Sequence, residues 1–168
     1  MANTTFSGPL RSESTLKTVS KNSSTGTITE VTTLGDGPVS LSDGDVTLTN
    51  ATHSGRVLLV PDGGQDNTYT LPAPIAGSVF RFVYAGGAAD ATDAIILTPG
   101  NTNFFVGGVT FLDTDNEVSA VFSDGNSNSK IQLNVPAGFD VTIIGKDNTN
   151  YQIFGNVTGA TAPTFADQ

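Results

Sequence analysis

The stretch LDTDNE places Asp113, Asp115 and Glu117 at alternating positions. In an extended backbone alternate side chains share a face, so these three carboxylates would gather and could hold a hard cation such as Ca²⁺. The EF-hand order, in which alternating ligands are followed by Gly, is missing, and the same letters also describe a solvated turn between Phe111 and Val118. Acid–base chemistry of the hydrolytic-triad kind would depend on His53, the only histidine, which lies in TNATHSGR just before an apolar run. That is an ordinary setting for a turn residue, and no Gly-x-Ser-x-Gly elbow accompanies it. A zinc site would lack both thiolates and a second imidazole, since the chain has no Cys. Sixteen carboxylates are present, but no two are marked as a glycosidase pair. PDGGQDN and YAGGAAD are Gly-rich without joining a strand to a helix, so a phosphate cradle does not follow. Trp is absent, which leaves Tyr69, Tyr84 and Tyr151 as the weak set of sugar-stacking candidates. Phe104-Phe105 reads as one core residue and one edge contact. These residues specify no active site, and the sequence calls for no cofactor.

The elements that would position such groups are strands. Gly, Ser, Thr and Asn are abundant and charged residues make up only 14%, a profile of short strands and tight turns rather than of helices. In PVSLSDGDVTLTN, Asp43-Gly44 predicts a type I′ hairpin that pairs Ser42 with Asp45, Leu41 with Val46 and Val39 with Leu48. Further strands are predicted at Arg56–Val60, Thr68–Leu71, Val79–Tyr84, Ala94–Thr98, Phe104–Leu112, Val118–Phe122, Lys130–Val135, Phe139–Ile144 and Tyr151–Val157. SDGNSNS and GKDNTN are among the turn clusters that separate them. Ile131, Leu133 and Val135 alternate with polar residues, so one face of that strand is expected to be wet. The run Val79–Tyr84 is expected to be buried on nearly both faces. Pro72 and Pro74 should end the strand Thr68–Leu71 or lie on an edge, and Gly77 should permit the turn that follows. The fold class is therefore all-β, a single antiparallel β-sandwich or jelly-roll-like domain, with a barrel as the other closure. No repeat regular enough for a solenoid is visible.

The ends differ from this body. The first 30 residues hold fifteen Ser, Thr or Asn residues and no hydrophobic alternation until about Thr27–Val31. Such a segment buries too little to offset its own ordering entropy. Residues 1 to 30 are thus expected as an extended attachment arm, 31 to 158 as the β-domain, and 159 to 168 as a short tail with Phe165 isolated in it. Whether residues 1 to 25 are an adhesive arm or a plain disordered tail is open at this point.

Charge follows the same division. The net charge is −9, yet residues 1 to 29 carry Arg11, Lys17 and Lys21 against Glu13 alone. An acidic body argues against phosphate-mediated nucleic-acid binding. No apolar run approaches the length of a membrane span, and the reading carries no export signal. Four Asn-x-Ser/Thr triplets, at Asn3, Asn22, Asn50 and Asn156, are read as chance in a chain so rich in these residues.

MANTTFSGPLRSES at the start and GNVTGATAPTFADQ at the end resemble the termini of small virion proteins from marine tailed phages. LTNATHSGRVLLVPDGGQDNTYTLPAPIAGSVFRFVY, residues 48 to 84, is similar to a unit of phage head-decoration and fibre proteins. The resemblance, to capsid decoration (cement or head-fibre) proteins, covers both ends and this central stretch. It implies a non-enzymatic structural role on the outer capsid surface of the virion and supplies no catalytic residues. The expected partners are the major capsid protein of the same phage and neighbouring copies of the chain, either as a trimer burying apolar strand faces or with those faces closed in the sandwich core. Within the arm, Phe6 would fill a pocket and Pro9 would stiffen the path. Arg11, Lys17 and Lys21 would meet carboxylates on the shell, and TITEVTT would add a strand to an exposed edge. A tail-fibre or receptor-binding module recognising a host glycan is the alternative, and a polysaccharide hydrolase is a third class with no identifiable acid–base pair.

Overall fold

The computed structural model describes residues 18–31, 37–87, 89–115 and 117–168. The chain forms two compact units, Met1–Asp36 and Gly37–Gln168.

In the first unit, β1 (Thr18–Lys21) and β2 (Ile28–Val31) form an antiparallel hairpin in the register Thr18↔Val31 and Lys21↔Ile28. Its turn is organised by Asn22, whose side-chain oxygen accepts from the N–H groups of Ser24 and Thr25 at 2.9 and 3.1 Å. Gly26, at φ +72, takes the left-handed conformation the turn needs. The Ile28–Val31 part of TITEVTT, expected to add to another protein's edge, is thus already paired with β1.

The second unit contains β3 (Val39–Ser40), β4 (Val46–Thr47), one helical turn α1 (Asn50–His53), β5 (Arg56–Val60), β6 (Asn67–Thr70) and β7 (Val79–Tyr84). It continues with β8 (Ala94–Leu97), β9 (Phe104–Asp113), β10 (Val118–Phe122), β11 (Lys130–Leu133), β12 (Pro136–Gly145), β13 (Asn150–Gly159) and β14 (Thr164–Ala166). Two sheets result, ordered β10-β9-β13-β12-β7-β5-β3 and β14-β11-β8-β6-β4. The fold is an all-β sandwich, as the strand spacing predicts.

Strand direction departs from the antiparallel expectation. β3, β5 and β7 are parallel neighbours in the larger sheet, and β4, β6 and β8 are parallel neighbours in the smaller one. The chain alternates between sheets, so residues 39–97 make three stacked coils. Val39 stacks on Leu58 and Leu58 on Phe82, while Val46 stacks on Tyr69 and Tyr69 on Ile96. The corners from the larger to the smaller sheet lengthen from one coil to the next while the two return corners keep one length, which is why no fixed period marks this solenoid-like stack in the sequence. Antiparallel β12 and β11 then close the stack against β7 and β8.

The Asp43-Gly44 hairpin does not form. Leu41 N–H donates to Leu59 O (2.9 Å) and Leu48 N–H to Thr70 O (2.8 Å), so the two arms pair with the next coil in different sheets. Asp43 accepts from Gly64 N–H and Asn67 Nδ2 (3.1 and 3.0 Å), and Asp45 accepts from Thr68 N–H (2.9 Å). Gly44, at φ +125, turns the corner and donates to Asn67 Oδ1 at 2.7 Å. The turn residues thus act as coil corners whose side chains tie one coil to the next. The apolar assignment still holds, since Leu41 and Leu48 are both buried.

The core lies between the sheets. Phe80, Phe82, Val141, Ile143, Tyr151 and Ile153 are fully buried from the larger sheet, facing Tyr69, Ile96, Ile131 and Leu133 from the smaller. Tyr69 and Phe82 meet across the sandwich with ring centroids 6.1 Å apart. Tyr151 donates its hydroxyl proton to Pro72 O at 2.8 Å, just beyond the end of β6. β7 is buried on one face only: Arg81 between Phe80 and Phe82 is exposed, which corrects the two-sided expectation. The sandwich core therefore covers the Phe80/Phe82 face without any second copy.

Two end assignments also change. The expected tail is part of the sandwich, because β14 pairs antiparallel with β11, Phe165 packs on the core, and Gln168 Nε2 reaches Thr98 O at 3.0 Å. Val135, expected to continue the alternation of Ile131 and Leu133, instead sits at φ 41 beyond the end of β11 and is exposed.

Candidate functional site

The residues with the chemistry to form an acidic metal site are held in a turn. β9 and β10 are antiparallel neighbours, and Asp113 N–H donates to Glu117 O at 2.9 Å while the Asp113 carboxylate accepts from Asp115 N–H at 2.9 Å. Asp113, Asp115 and Glu117 are therefore not three alternate positions of one extended strand. Among the described residues no three His, Cys, Asp or Glu side chains are placed to hold a metal ion. His53 closes α1, where its Nδ1 accepts from Thr49 N–H at 3.0 Å. Lys21 ends β1, and Phe6, Pro9, Arg11 and Lys17 lie outside the described residues.

Other acids organise loops. Asp124 accepts from the N–H groups of Asn126, Ser127 and Asn128, and Asp147 from those of Thr149 and Asn150. Backbone N–H groups, together with the Ser127 hydroxyl, hold the Asp124 carboxyl below its ordinary 3.8. The Asn150 side chain and two backbone N–H groups do the same for Asp147. Carboxyls depressed in the fold contribute stability above the unfolded value and lose it as pH falls through their folded values. At the other extreme, burial pushes the Tyr69 phenol from 10.0 up to about 12, and burial raises the Tyr151 phenol as well. Raised groups contribute stability below pH about 10 and lose it as pH rises toward their folded values. Urea unfolding across pH 2 to 11 is thus expected to show a plateau, with losses below pH about 4 and above pH about 10.

The surface best equipped for recognition is the outer face of the seven-stranded sheet. Residues alternate inward and outward along each strand, and the ladders align Arg81, Thr142 and Phe154 across β7, β12 and β13, and Gly108 with Phe122 across β9 and β10. The next row holds Val83, Asp140, Asn156, Thr110 and Ala120, and beyond it Leu112 lies beside Val118.

Two parts of this face stand apart. The first is the edge, where Phe122 is 71%, Val118 69% and Leu112 37% exposed. β10, Val-Ser-Ala-Val-Phe, pairs with β9. Edge strands ordinarily use charges, Pro or bulges to resist pairing with other chains, and β10 carries no charge and no Pro.

The second part is a shallow groove of about 320 Å³ lined by Arg81, Asp140, Thr142, Phe154, Gly155 and Asn156. Arg81 grips Asp140 in a bidentate pair through Nε (2.8 Å) and Nη2 (2.5 Å). Hydrogen bonding from Arg81 lowers the Asp140 pKa from its ordinary value. Gly155 shapes the backbone here: at φ +149, a Cβ would fall 2.2 Å from Asp140 O. The sequence carries one signal for the groove, at Phe154. Counting by twos from Tyr151 and Ile153, which face inward, leaves Phe154 facing outward.

No protein-family model matches this chain, and no curated protein matches it either.

Proposed function

We propose that this chain is a non-enzymatic structural protein of a phage virion, attached to the outer surface of the assembled capsid. The observation that carries the reading is the β10 edge, an uncharged strand with Phe122, Val118 and neighbouring Leu112 open to solvent. A rigid, acidic sandwich with such an edge suits a protein that settles on another protein surface by strand addition and apolar contact. The major capsid protein is the partner, with β10 against it and the basic N-terminal segment meeting its carboxylates. The segment bearing Arg11, Lys17 and Lys21 opposes the charge of the remaining chain, which favours an electrostatic role for it distinct from that of the sandwich. Many copies on one symmetric shell would raise the retention of each by avidity.

Cosedimentation tests this. The purified chain, mixed with emptied capsids of its own phage, is expected to pellet with them saturably. Saturable binding to host cells with no pelleting on capsids contradicts the proposal and favours the receptor-binding alternative.

A further inference from the structure

We infer that the groove on the outer face of the larger sheet is a binding site for a neutral saccharide, with Phe154 as its stacking platform. This goes beyond capsid attachment and does not depend on it. Four side chains of complementary chemistry surround one phenyl ring: the Arg81 guanidinium donates, the Asp140 carboxylate accepts, and the Asn156 amide and Thr142 hydroxyl do both. Arg81 Nε and Nη2 and both Asp140 oxygens already engage one another, so this pair meets a sugar with its remaining N–H groups and lone pairs, while the Asn156 amide offers a donor and an acceptor side by side to neighbouring hydroxyls on a ring. The apolar face of a pyranose needs a flat hydrophobic partner, and Phe154, 48% exposed on an inner strand, offers one.

The surroundings exclude other ligand classes. β13 is hydrogen-bonded on both sides, to β12 and β9, so no backbone edge is open at the groove for an added peptide strand. Arg81 and Asp140 cancel one another's charge, and the chain as a whole carries −9, so an anion such as a phosphate is disfavoured. An apolar small molecule would leave that ion pair and Asn156 without their water. A neutral polyol satisfies all of these groups. The volume is at the low end of the roughly 300–1,000 Å³ range for ligand sites, and the Arg81–Asp140 pair is about half exposed. The site therefore takes one or two units in the middle of a longer glycan rather than an enclosed small sugar.

The full-length chain is run by affinity electrophoresis through native gels containing dextran, a mannan, a galactan or a β-1,3-glucan, with alginate as the acidic comparison. At least one neutral polysaccharide is expected to retard it. Phe154→Ala and Asn156→Ala should each weaken that retardation about tenfold or more, while Phe154→Tyr, which keeps the ring, should bind as the parent does. Circular dichroism of each variant should match the parent. The double variant Val118→Ser/Phe122→Ser should keep full retardation, which separates this site from the β10 edge. Absence of retardation by every neutral polysaccharide overturns the inference. Stronger retardation by alginate than by all of them, or unchanged binding by Phe154→Ala, overturns it equally.

Discussion

Replacing Phe82 with alanine is expected to lower the unfolding free energy by about 3–5 kcal/mol, a large share of the roughly 5–15 kcal/mol that holds a domain together. Phe82 is fully buried at the middle of β7, and its ring meets Tyr69 from the opposite sheet, so its loss opens a cavity at the seam of the sandwich. The neighbours are held by their own ladders. β7 is flanked by β5 and β12, and Tyr69 lies on β6 between β4 and β8, so collapse into the cavity is restricted. A loss of that size corresponds to a fall in Tm of roughly 6–20 °C for a chain of this length. Phe82→Leu, which fills most of the space, should recover more than half. Urea unfolding of the two variants beside the parent checks both figures. If Phe82→Ala cost less than Phe82→Leu, the placement of Phe82 at the seam would be wrong.

The second large effect concerns attachment. Val118→Ser/Phe122→Ser removes the two most exposed large apolar side chains of the described residues, on one face of β10. Central apolar anchors in a protein interface each contribute about 2 kcal/mol or more. Losing both, about 4 kcal/mol together, should weaken capsid cosedimentation by several hundredfold, with little change in thermal stability, because these side chains meet solvent in the free protein. Gly108 lies beside Phe122 in the β9–β10 ladder. A Cβ there would come within 2.3 Å of Val121 O and 2.8 Å of the Phe122 ring, so the glycine lets β10 and that ring approach β9 closely. The serine variant tests the side chains while leaving this backbone arrangement untouched. Undiminished pelleting of the double variant would remove β10 from the interface.

Much of the fold is legible in the sequence because two independent signals coincide. Short apolar, β-branched and aromatic runs locate Arg56–Val60, Val79–Tyr84 and Val118–Phe122 to the residue, and the Asp/Asn/Gly clusters between strands are turns as their chemistry requires. Pro72 and Pro74 follow β6, and Gly77 turns at φ +85 before β7. What alternation does not encode is the partner strand. Leu41 and Leu48 face the core whether β3 pairs with β4 or with β5, so an Asp-Gly turn between them pointed to the nearer partner. The deciding contacts, Asp43 to Gly64 and Asn67 and Asp45 to Thr68, join residues in different coils. Phe165 misled for a related reason. A lone aromatic among small residues gives no alternation, yet it completes the sandwich edge beside Phe105, with ring centroids 6.3 Å apart. The groove was hidden because Arg81, Asp140 and Asn156 come from three strands, and only the ladders bring them beside Phe154.

If the sandwich docks on the outside of a capsid, its β10 edge lies against the shell. A reconstruction of the phage particle that carries this chain, with the Gly37–Gln168 unit placed in the density, measures this directly. Copies of the sandwich are expected on the outer capsid surface, with Phe122 and Val118 facing the major capsid protein. Copies found only at the tips of tail fibres, with the outer shell bare of this density, would contradict it.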